Sequence, residues 1–257
     1  MAAHTDITPP TTAAPPLRHR MSPSRRVSLT VGILYVITFV SIPTLGLYAP
    51  IKNNVGGFIL GAGNTTAAQW GAFSEVIVGV AGIGTAIVLY PLARRISPTA
   101  ALGFVAARLV ETCLIFVSVV NLLTMMTLRA DLAGTPGMSP ALTTMGHGLL
   151  ANYTWTFLLS QSLMPVACDL FIGYLLFRSA IVPRFFPIVA FIGAPLLLAS
   201  DIAVFFGAYP SVSPLAVLAA LPVAVFELSL GVWLIVKGFT PRPVTAEFDT
   251  SRQVAVV

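Results

Sequence analysis

Residues 99–128 read TAALGFVAARLVETCLIFVSVVNLLTMMTL, and the stretch is apolar except for Arg108, Glu111 and a few uncharged polar side chains. At about 1.5 Å per helical residue, it is longer than the roughly 30 Å needed to cross the hydrocarbon core of a bilayer. An ionisable side chain at the bilayer centre costs at least about 2.5–3.5 kcal/mol, so such residues usually face the interior of a helical bundle. The stretch therefore predicts a membrane-spanning helix with a polar inner face.

Five further apolar stretches of similar length lie on either side of this one. Hydrophobic residues make up 56% of the chain, charged residues only 9%, and the mean hydropathy is +0.90. Soluble domains carry about 25% charged residues, so this composition excludes a soluble protein. The sequence predicts an all-α, polytopic membrane bundle with about six transmembrane helices. The five other spans are expected near 28–49, 70–92, 153–177, 185–206 and 214–236.

The ends of the chain differ in composition from the apolar middle. Residues 1–26 are rich in Pro, Thr and Ala and end in a basic run, which predicts a disordered tail. Residues 27–239 are predicted to form the six-helix transmembrane domain, and residues 240–257 a second disordered tail. Arginine outnumbers lysine by twelve to two, which is typical of a GC-rich bacterial genome. The expected location is the bacterial plasma membrane, and the expected partner is its lipid bilayer.

Basic residues in the tails and loops predict the orientation of the bundle. The loops at 50–69 and 129–152 hold only two of them, Lys52 and Arg129. The tails and the loops on the side of the termini hold eleven. Because basic residues accumulate on the cytoplasmic side, both termini are expected to be cytoplasmic. The eleven are Arg18, Arg20, Arg25, Arg26, Arg94, Arg95, Arg178, Arg184, Lys237, Arg242 and Arg252.

Charged residues inside the spans are the candidate functional residues. At about 1.5 Å per residue from the cytoplasmic ends, Arg108, Asp169 and Glu227 share one level about 15 Å deep. Glu111 lies one turn above Arg108 on the same face, because residues three apart are neighbours on a helix. Asp201 is expected higher in its span, and Glu75 near the outer surface. The six predicted binding or transport residues are Arg108, Glu111, Asp169, Glu227, Asp201 and Glu75.

Small residues accompany the acids of the inward-running spans. Each of these acids is followed four residues later by a glycine, so acid and glycine lie on one helix face. Membrane helices approach each other closely at such faces, so the acids are expected to face neighbouring helices and not lipid. Prolines inside the spans are expected to kink them and to free backbone carbonyls. The acid–glycine pairs are Glu75–Gly79, Asp169–Gly173 and Glu227–Gly231, and the prolines are Pro43, Pro165, Pro195 and Pro222.

The excess of buried acid leaves two interpretations of function open. Arg108 can neutralise only one of Glu111, Asp169 and Glu227 at a time, so at least one acid is expected to be neutral or to bind a cation. The functional interpretation is a polar centre for proton- or cation-linked handling of a small solute. The structural interpretation is a hydrogen-bonded centre that only specifies how the helices pack, in a structural or regulatory membrane protein.

Several other functions are disfavoured by the residues. The chain has no HExxH, GxSxG, P-loop or CxxC motif, and no nucleophile or metal-binding set accompanies the acids, which disfavours an enzyme. Cys113 and Cys168 are expected to be buried free thiols, and none of the three histidines lies in a predicted span, so no cofactor or metal is predicted. The basic residues follow the pattern of membrane topology, so no nucleic acid is predicted. The oligomeric state is left open.

Seven stretches of the chain carry a likeness to a known family. They are FILGAG at 58–63, EVIVGVAGIGTAIVLYPLARR at 75–95, GFVAARLVE at 103–111, WTFLL at 155–159, GYLLFRSAIVPR at 173–184, IGAPLLLASDIAVFFGAY at 192–209 and ELSLGVWLIVKGF at 227–239. In their order and spacing, from about residue 55 to 239, the chain resembles a bacterial family of integral membrane proteins, domain of unknown function 4386. The resemblance implies a six-span helical bundle and supplies no reaction, substrate or functional residues.

Overall fold

The computed structural model describes residues 21–39 and 44–254, and every regular element in these residues is a helix. Five helices are long and apolar enough to cross a membrane, which confirms the all-α membrane prediction. One of these five combines α7, a five-residue π-helical turn and α8. The elements are α1 Pro23–Thr38, α2 Thr44–Leu47, α3 Ala49–Asn53, α4 Val55–Ile59, α5 Thr66–Ile96, α6 Pro98–Leu132, α7 Ser139–Leu158, the π turn Leu159–Leu163, α8 Met164–Ser179, α9 Phe185–Phe205, α10 Pro214–Val236 and α11 Pro243–Val254.

The first predicted span, near 28–49, is only partly covered. Helix α1 has sixteen described residues and is followed by Phe39. Residues 40–43, including Pro43, lie outside the described residues. The count of six spans and the side on which the termini lie therefore stay predictions.

A serine followed by a proline begins three of the helices. The side chain of the serine accepts a hydrogen bond from a backbone N–H in the first helical turn, and the proline occupies a position whose N–H would have no partner. This pairing explains why α1, α6 and α10 begin where they do. The serines are Ser22, Ser97 and Ser213, and their donors are the N–H groups of Arg25, Ala100 and Ala216.

Six helices form a closed ring of neighbours. Helices α1, α5, α6, α8, α9 and α10 each pack against the next in chain order, and α10 packs back against α1. Helix α7 packs on α6 and α4 outside this ring. Large apolar side chains cover the outside of the ring, with Leu102 61% and Leu218 64% exposed, as expected for a surface that contacts lipid. The ring places the inner faces of six helices around one axis.

The glycines that follow the acids lie at contacts between ring helices. A Cβ atom on Gly79 would lie 2.9 Å from the Phe116 ring of α6, and one on Gly173 would lie 3.3 Å from Cβ of Ala190 in α9. A Cβ atom on Gly231 would lie 3.1 Å from Cβ of Tyr35 in α1. The prediction that small residues mark close helix approaches is confirmed at all three positions.

The two loops predicted on the outer side contain more helix than expected. Helix α6 continues to Leu132 and α7 begins at Ser139, so only residues 133–138 connect them. His147 lies within α7 and not in a loop. Arg129, near the end of α6, donates hydrogen bonds to the backbone carbonyls at the end of α4, which explains the compact form of the first loop. The acceptors are Phe58 (2.7 Å), Gly61 (2.9 Å), Ala62 (2.7 Å) and Gly63 (2.6 Å).

The segments predicted as disordered tails also contain helix. Helix α1 includes residues 23–26, and α11 lies within the 240–257 segment. Asp249 of α11 accepts from the N–H of Ser24 at 2.6 Å and from its hydroxyl at 2.8 Å, and Phe248 is 2% exposed. These contacts hold α11 against α1. The amphipathic pattern of α11 was missed because its single buried phenylalanine stands among polar residues.

Candidate functional site

The centre of the ring contains a pocket of about 210 Å³. Each of the six ring helices contributes to its wall, and the π turn before α8 contributes two residues. Apolar side chains form most of the wall, and Arg108, Glu111, Gln161, Ser162 and Glu227 supply charged and polar groups. The other lining residues are Thr38, Phe39, Val78, Pro165, Leu197, Ala220, Val223 and Ala224.

Arg108 joins two carboxylates on the pocket wall. Its Nη1 lies 3.1 Å from Oε1 and 2.9 Å from Oε2 of Glu111, one turn along α6. Its Nη2 lies 3.0 Å from Oε1 of Glu227, on α10 across the ring. Arg108 is 2% exposed and Glu111 is 7% exposed. The two terminal nitrogens of one guanidinium thus bind carboxylates on two helices, α6 and α10. These contacts hold the two helices together at the depth of Arg108.

Two aromatic rings also flank the guanidinium. Its central carbon is 5.4 Å from the ring centroid of Tyr35 and 5.6 Å from that of Phe104. Gly82 on α5 leaves space for the arginine, because a Cβ atom there would lie 4.0 Å from Cδ and Nη1 of Arg108. On the other side, the Cys168 thiol donates to Oε2 of Glu111 at 3.4 Å. Aromatic faces attract a cation, so the two rings stabilise the guanidinium in this position.

Asp169 lies beside this group without a hydrogen-bond partner. It is fully buried, and neither of its carboxylate oxygens has a partner among the described residues. It is close enough to Glu227, Arg108 and Glu111 to interact with all three electrostatically. Three carboxylates therefore share one guanidinium. Buried polar groups in proteins are nearly always hydrogen-bonded, so Asp169 is an exception that calls for a protonated state or an additional partner.

A π-helical turn brings two uncharged polar side chains into the pocket. The turn spans Leu159–Leu163, and Pro165 is the second residue after it. Pro165 has no backbone N–H to donate to the carbonyl of residue 161, so the regular α-helical bonding cannot continue through this point. Such π-helical turns change the direction of side chains and are frequent at functional sites. Gln161 and Ser162 line the pocket as a result.

Gln161 also contacts Glu75. Glu75 and Asp201 are the two acids that lie farther from Arg108, and they are called the outer acids below. Nε2 of Gln161 lies 3.4 Å from Oε1 of Glu75, which also accepts from the Tyr153 hydroxyl at 2.9 Å. Glu75 is fully buried, and its Oε2 has no partner among the described residues. Lys52 lies over the Tyr153 ring at 5.4 Å. Burial lowers the pKa of the Lys52 ammonium from its usual range, and the Glu75 carboxylate opposes that change.

Ser162 contacts the second outer acid. Its hydroxyl donates to Oδ1 of Asp201 at 2.5 Å, while Oδ2 of Asp201 has no partner among the described residues. Neither Asp201 nor Glu75 lines the pocket itself. The two acids lie behind the pocket wall, each joined to it by one residue of the π turn.

The predicted site residues thus divide into one central group and two outer acids. Arg108, Glu111, Glu227 and Asp169 come together as their depths predicted. Arg108 contacts two carboxylates, Glu111 and Glu227, through its two terminal nitrogens, but its single positive charge can still neutralise only one of the three acids around it.

The sequence did not identify the uncharged polar residues of the site. Gln161, Ser162 and Tyr153 were missed, although the run SQS at 160–162 interrupts an apolar stretch just before Pro165. Cys168 is buried as expected, whereas Cys113 is exposed on the outside of the ring. Among residues 21–39 and 44–254, no group of three or more His, Cys, Asp or Glu side chains is placed to bind a metal ion.

Comparison with known proteins agrees with the resemblance of the sequence. A family model described as Domain of unknown function (DUF4386) matches residues 30–238. This range includes the pocket, the central charged group and both outer acids. Searches of curated proteins and of solved structures found no match. Because the family model covers well over half of the chain, the protein belongs to the DUF4386 family.

Proposed function

We propose that this multi-pass membrane protein handles a small polar solute in the central pocket and couples it to the uptake or release of protons. The observation that carries the proposal is the position of the pocket, which all six ring helices line at the level of Arg108, Glu111 and Glu227. In helical membrane proteins, ionisable residues that face a cavity commonly mark pathways of solutes or protons.

The pocket favours this function over a purely structural role. A polar centre that only specifies packing needs mutually satisfied partners and no open volume. Here an open volume of about 210 Å³ adjoins the ion pairs. In addition, Asp169 and one oxygen each of Glu75 and Asp201 have no hydrogen-bond partner among the described residues. Each unsatisfied group costs about 1–3 kcal/mol of stability. A centre that served packing alone would gain nothing from keeping such groups.

Proton coupling is supported by the ratio of acids to bases. Glu111, Glu227 and Asp169 surround a single guanidinium, and like charges that close cannot all stay ionised in an apolar interior. A carboxylate that is protonated in one state and ionised in another is a natural carrier for a proton. Asp169 is suited to this role because it is buried and has no competing hydrogen bond.

We further propose that the protein spans a bacterial plasma membrane six times, with both termini in the cytoplasm. The closed ring of six helices and the eleven-to-two distribution of basic residues support this topology. Reporter fusions at Gly134 and Ser211 should report an external position. Fusions at Ser97 and after Val257 should report a cytoplasmic one, and an external C-terminus would contradict the topology.

A transport assay tests the proposed function. The purified protein is reconstituted into liposomes that contain a pH-sensitive dye, and a panel of cationic, neutral and anionic solutes is applied in turn. At least one solute should drive proton movement in the wild type. Asp169→Asn and Glu227→Gln should abolish this movement without loss of folded protein, because each replaces a titratable carboxyl with an amide of similar shape.

Glu247→Gln supplies the matched control. Glu247 is exposed on α11 and does not line the pocket, so its neutralisation should leave proton movement unchanged. The structural role is correct instead under two conditions. No solute in the panel drives proton movement in the wild type, and Asp169→Asn and Glu227→Gln differ from the wild type only in thermal stability.

A further inference from the structure

We infer that the solute of the central pocket is a small organic cation, such as a protonated amine, and that Glu227 binds its charged group. This inference rests on the proposed function and names the substrate class of the same pocket. It follows from the charge of the wall, the accessibility of one carboxylate oxygen and the chemistry of the remaining lining residues.

The wall carries more negative than positive charge. Of the lining residues, Glu111 and Glu227 are acidic and Arg108 alone is basic, which leaves one negative charge in excess when all three are ionised. Asp169 lies behind the same wall and is fully buried with no hydrogen-bond partner among the described residues. A cation in the pocket would offset this excess, whereas an anion would add to it.

Arg108 offers no open donor to an anion in the pocket without losing a carboxylate. Its Nη1 donates to both oxygens of Glu111 and its Nη2 to Glu227. Its Nε has no partner among the described residues, but it is buried and therefore not open to a solute in the pocket. An anionic solute would have to displace one of these carboxylates, which would then lie buried and unpaired. The guanidinium therefore serves to hold the two acids in place, and the acids are left to face the solute.

Glu227 offers a free oxygen to the pocket. Only its Oε1 pairs with Arg108, and no described residue donates a hydrogen bond to its Oε2. The side chain is 15% exposed and lines the pocket, in contrast to the more deeply enclosed Glu111. The Ser162 hydroxyl oxygen and the Gln161 side-chain carbonyl oxygen belong to residues that line the same pocket, and both can accept further hydrogen bonds from an ammonium group.

The rest of the wall suits an organic cation more than a bare ion. Val78, Leu197 and Val223 present apolar surface that the hydrocarbon part of an amine can cover. Phe39 adds an aromatic ring, which attracts organic cations. A bare sodium ion would leave most of a volume of about 210 Å³ and its apolar surface without contact.

Binding of three matched probes tests the inference. Butylammonium, butyramide and butyrate have similar size and differ in charge, and their binding to the protein in lipid nanodiscs is measured by titration calorimetry. Butylammonium should bind, and the other two should bind at least about tenfold more weakly, since a charge-assisted hydrogen bond contributes at least this factor. Butyrate or butyramide binding as tightly as butylammonium would overturn the inference, and so would displacement of butylammonium by sodium chloride alone.

Two variants locate the binding site. Glu227→Gln should weaken butylammonium binding about tenfold to a hundredfold. Ala224→Leu keeps every charge and narrows the pocket one turn from Glu227, so it should weaken binding even if Glu227→Gln does not fold. Glu247→Gln should bind like the wild type. Unchanged binding in a folded Glu227→Gln or Ala224→Leu protein would overturn the assignment.

The liposome assay separates this inference from the proposed function. If an anionic or neutral solute drives proton movement that depends on Asp169, the proposed function stands and the inference is wrong. If butylammonium binds at Glu227 while no solute of the panel drives proton movement, the inference stands and the proton coupling is wrong. If none of the three probes binds, the inference is wrong, whatever the liposomes show.

Discussion

At the scale of the residue, Arg108 decides whether the central acids can be buried. Among the described residues it is the only fully buried basic side chain. Its ion pair with Glu111 lies within α6, and its ion pair with Glu227 joins α6 to α10. Removing one partner of a buried ion pair leaves an uncompensated charge and costs about 3–5 kcal/mol. Removing Glu111 together with the arginine is less costly, because fewer unpaired charges remain.

We therefore expect Arg108→Leu to destabilise the protein more than Arg108→Leu combined with Glu111→Leu. The single change leaves three acids without a cation, whereas the double change leaves two. Thermal unfolding of the purified protein, followed by size-exclusion chromatography of heated samples, measures the difference. Arg26→Leu removes an exposed arginine of α1 and should have little effect. Additive losses in the double variant would show that Arg108 and Glu111 are not coupled.

Charged residues were predictable from the sequence, and their uncharged partners were not. Depth counted from the basic ends of the spans placed Arg108, Asp169 and Glu227 together, because a charge inside an apolar stretch stands out and helical rise is regular. Tyr153 and Gln161 give no such signal, since tyrosine and uncharged polar residues also occur at helix contacts and at the membrane interface. Only the fold shows that both contact Glu75.

At the scale of the element, the π turn Leu159–Leu163 links the pocket to the two outer acids. Gln161 contacts Glu75 and Ser162 contacts Asp201, while both line the pocket. The sequence predicted a kink at Pro165, and the described structure has a π turn that ends two residues before it. The turn could not be derived from the pattern, since a period of 3.6 residues assumes continuous α-helix.

Restoring a donor at Pro165 should remove the turn. Pro165→Ala supplies the N–H that the carbonyl of residue 161 lacks, so the helix can bond regularly and the side chain of residue 162 rotates away from the pocket. In a Cys113→Ala background, a Ser162→Cys thiol should react readily with a small water-soluble thiol reagent. The same thiol should react more slowly after Pro165→Ala.

A second position controls for general loosening of the bundle. The same Pro165→Ala change should leave the reactivity of a cysteine at Ala220 unchanged, because Ala220 lines the pocket from α10 and not from the π turn. Equal reactivity of the Ser162→Cys thiol with and without the proline would contradict the link between Pro165 and the pocket.

At the scale of the whole molecule, the pocket depends on closure of the ring. Three of the six contacts in the ring, α5–α6, α8–α9 and α9–α10, join consecutive helices, which a short connection brings near each other. The contacts α1–α5 and α6–α8 span only the elements between them. The sixth, between α1 and α10, joins the two ends of the domain. No sequence pattern within one helix predicted this contact, although the glycine at 231 marked one half of it.

Two facing glycines, Gly32 on α1 and Gly231 on α10, allow these two helices to pack closely. A Cβ atom on Gly32 would lie 2.7 Å from the carbonyl oxygen of Gly231 and 2.9 Å from the backbone N of Ile235. Both obstacles are backbone atoms, which cannot move aside as a flexible side chain can. A methyl group at residue 32 therefore has to push α1 away from α10, which opens the ring on the side where Thr38 and Phe39 contribute to the pocket wall.

We expect Gly32→Ala to lower thermal stability by about 1–3 kcal/mol, the usual cost of overpacking. It should also weaken any solute binding, because the pocket loses the wall that α1 supplies. Gly148→Ala is the matched control: Gly148 lies in α7, outside the ring, with nothing within 4 Å of the added Cβ atom. That change should be neutral or stabilise by about 0.5–1 kcal/mol, because alanine favours helix over glycine. If both variants unfold at the same temperature as the wild type, α1 does not close against α10, and the pocket cannot have the six-sided wall on which solute binding depends.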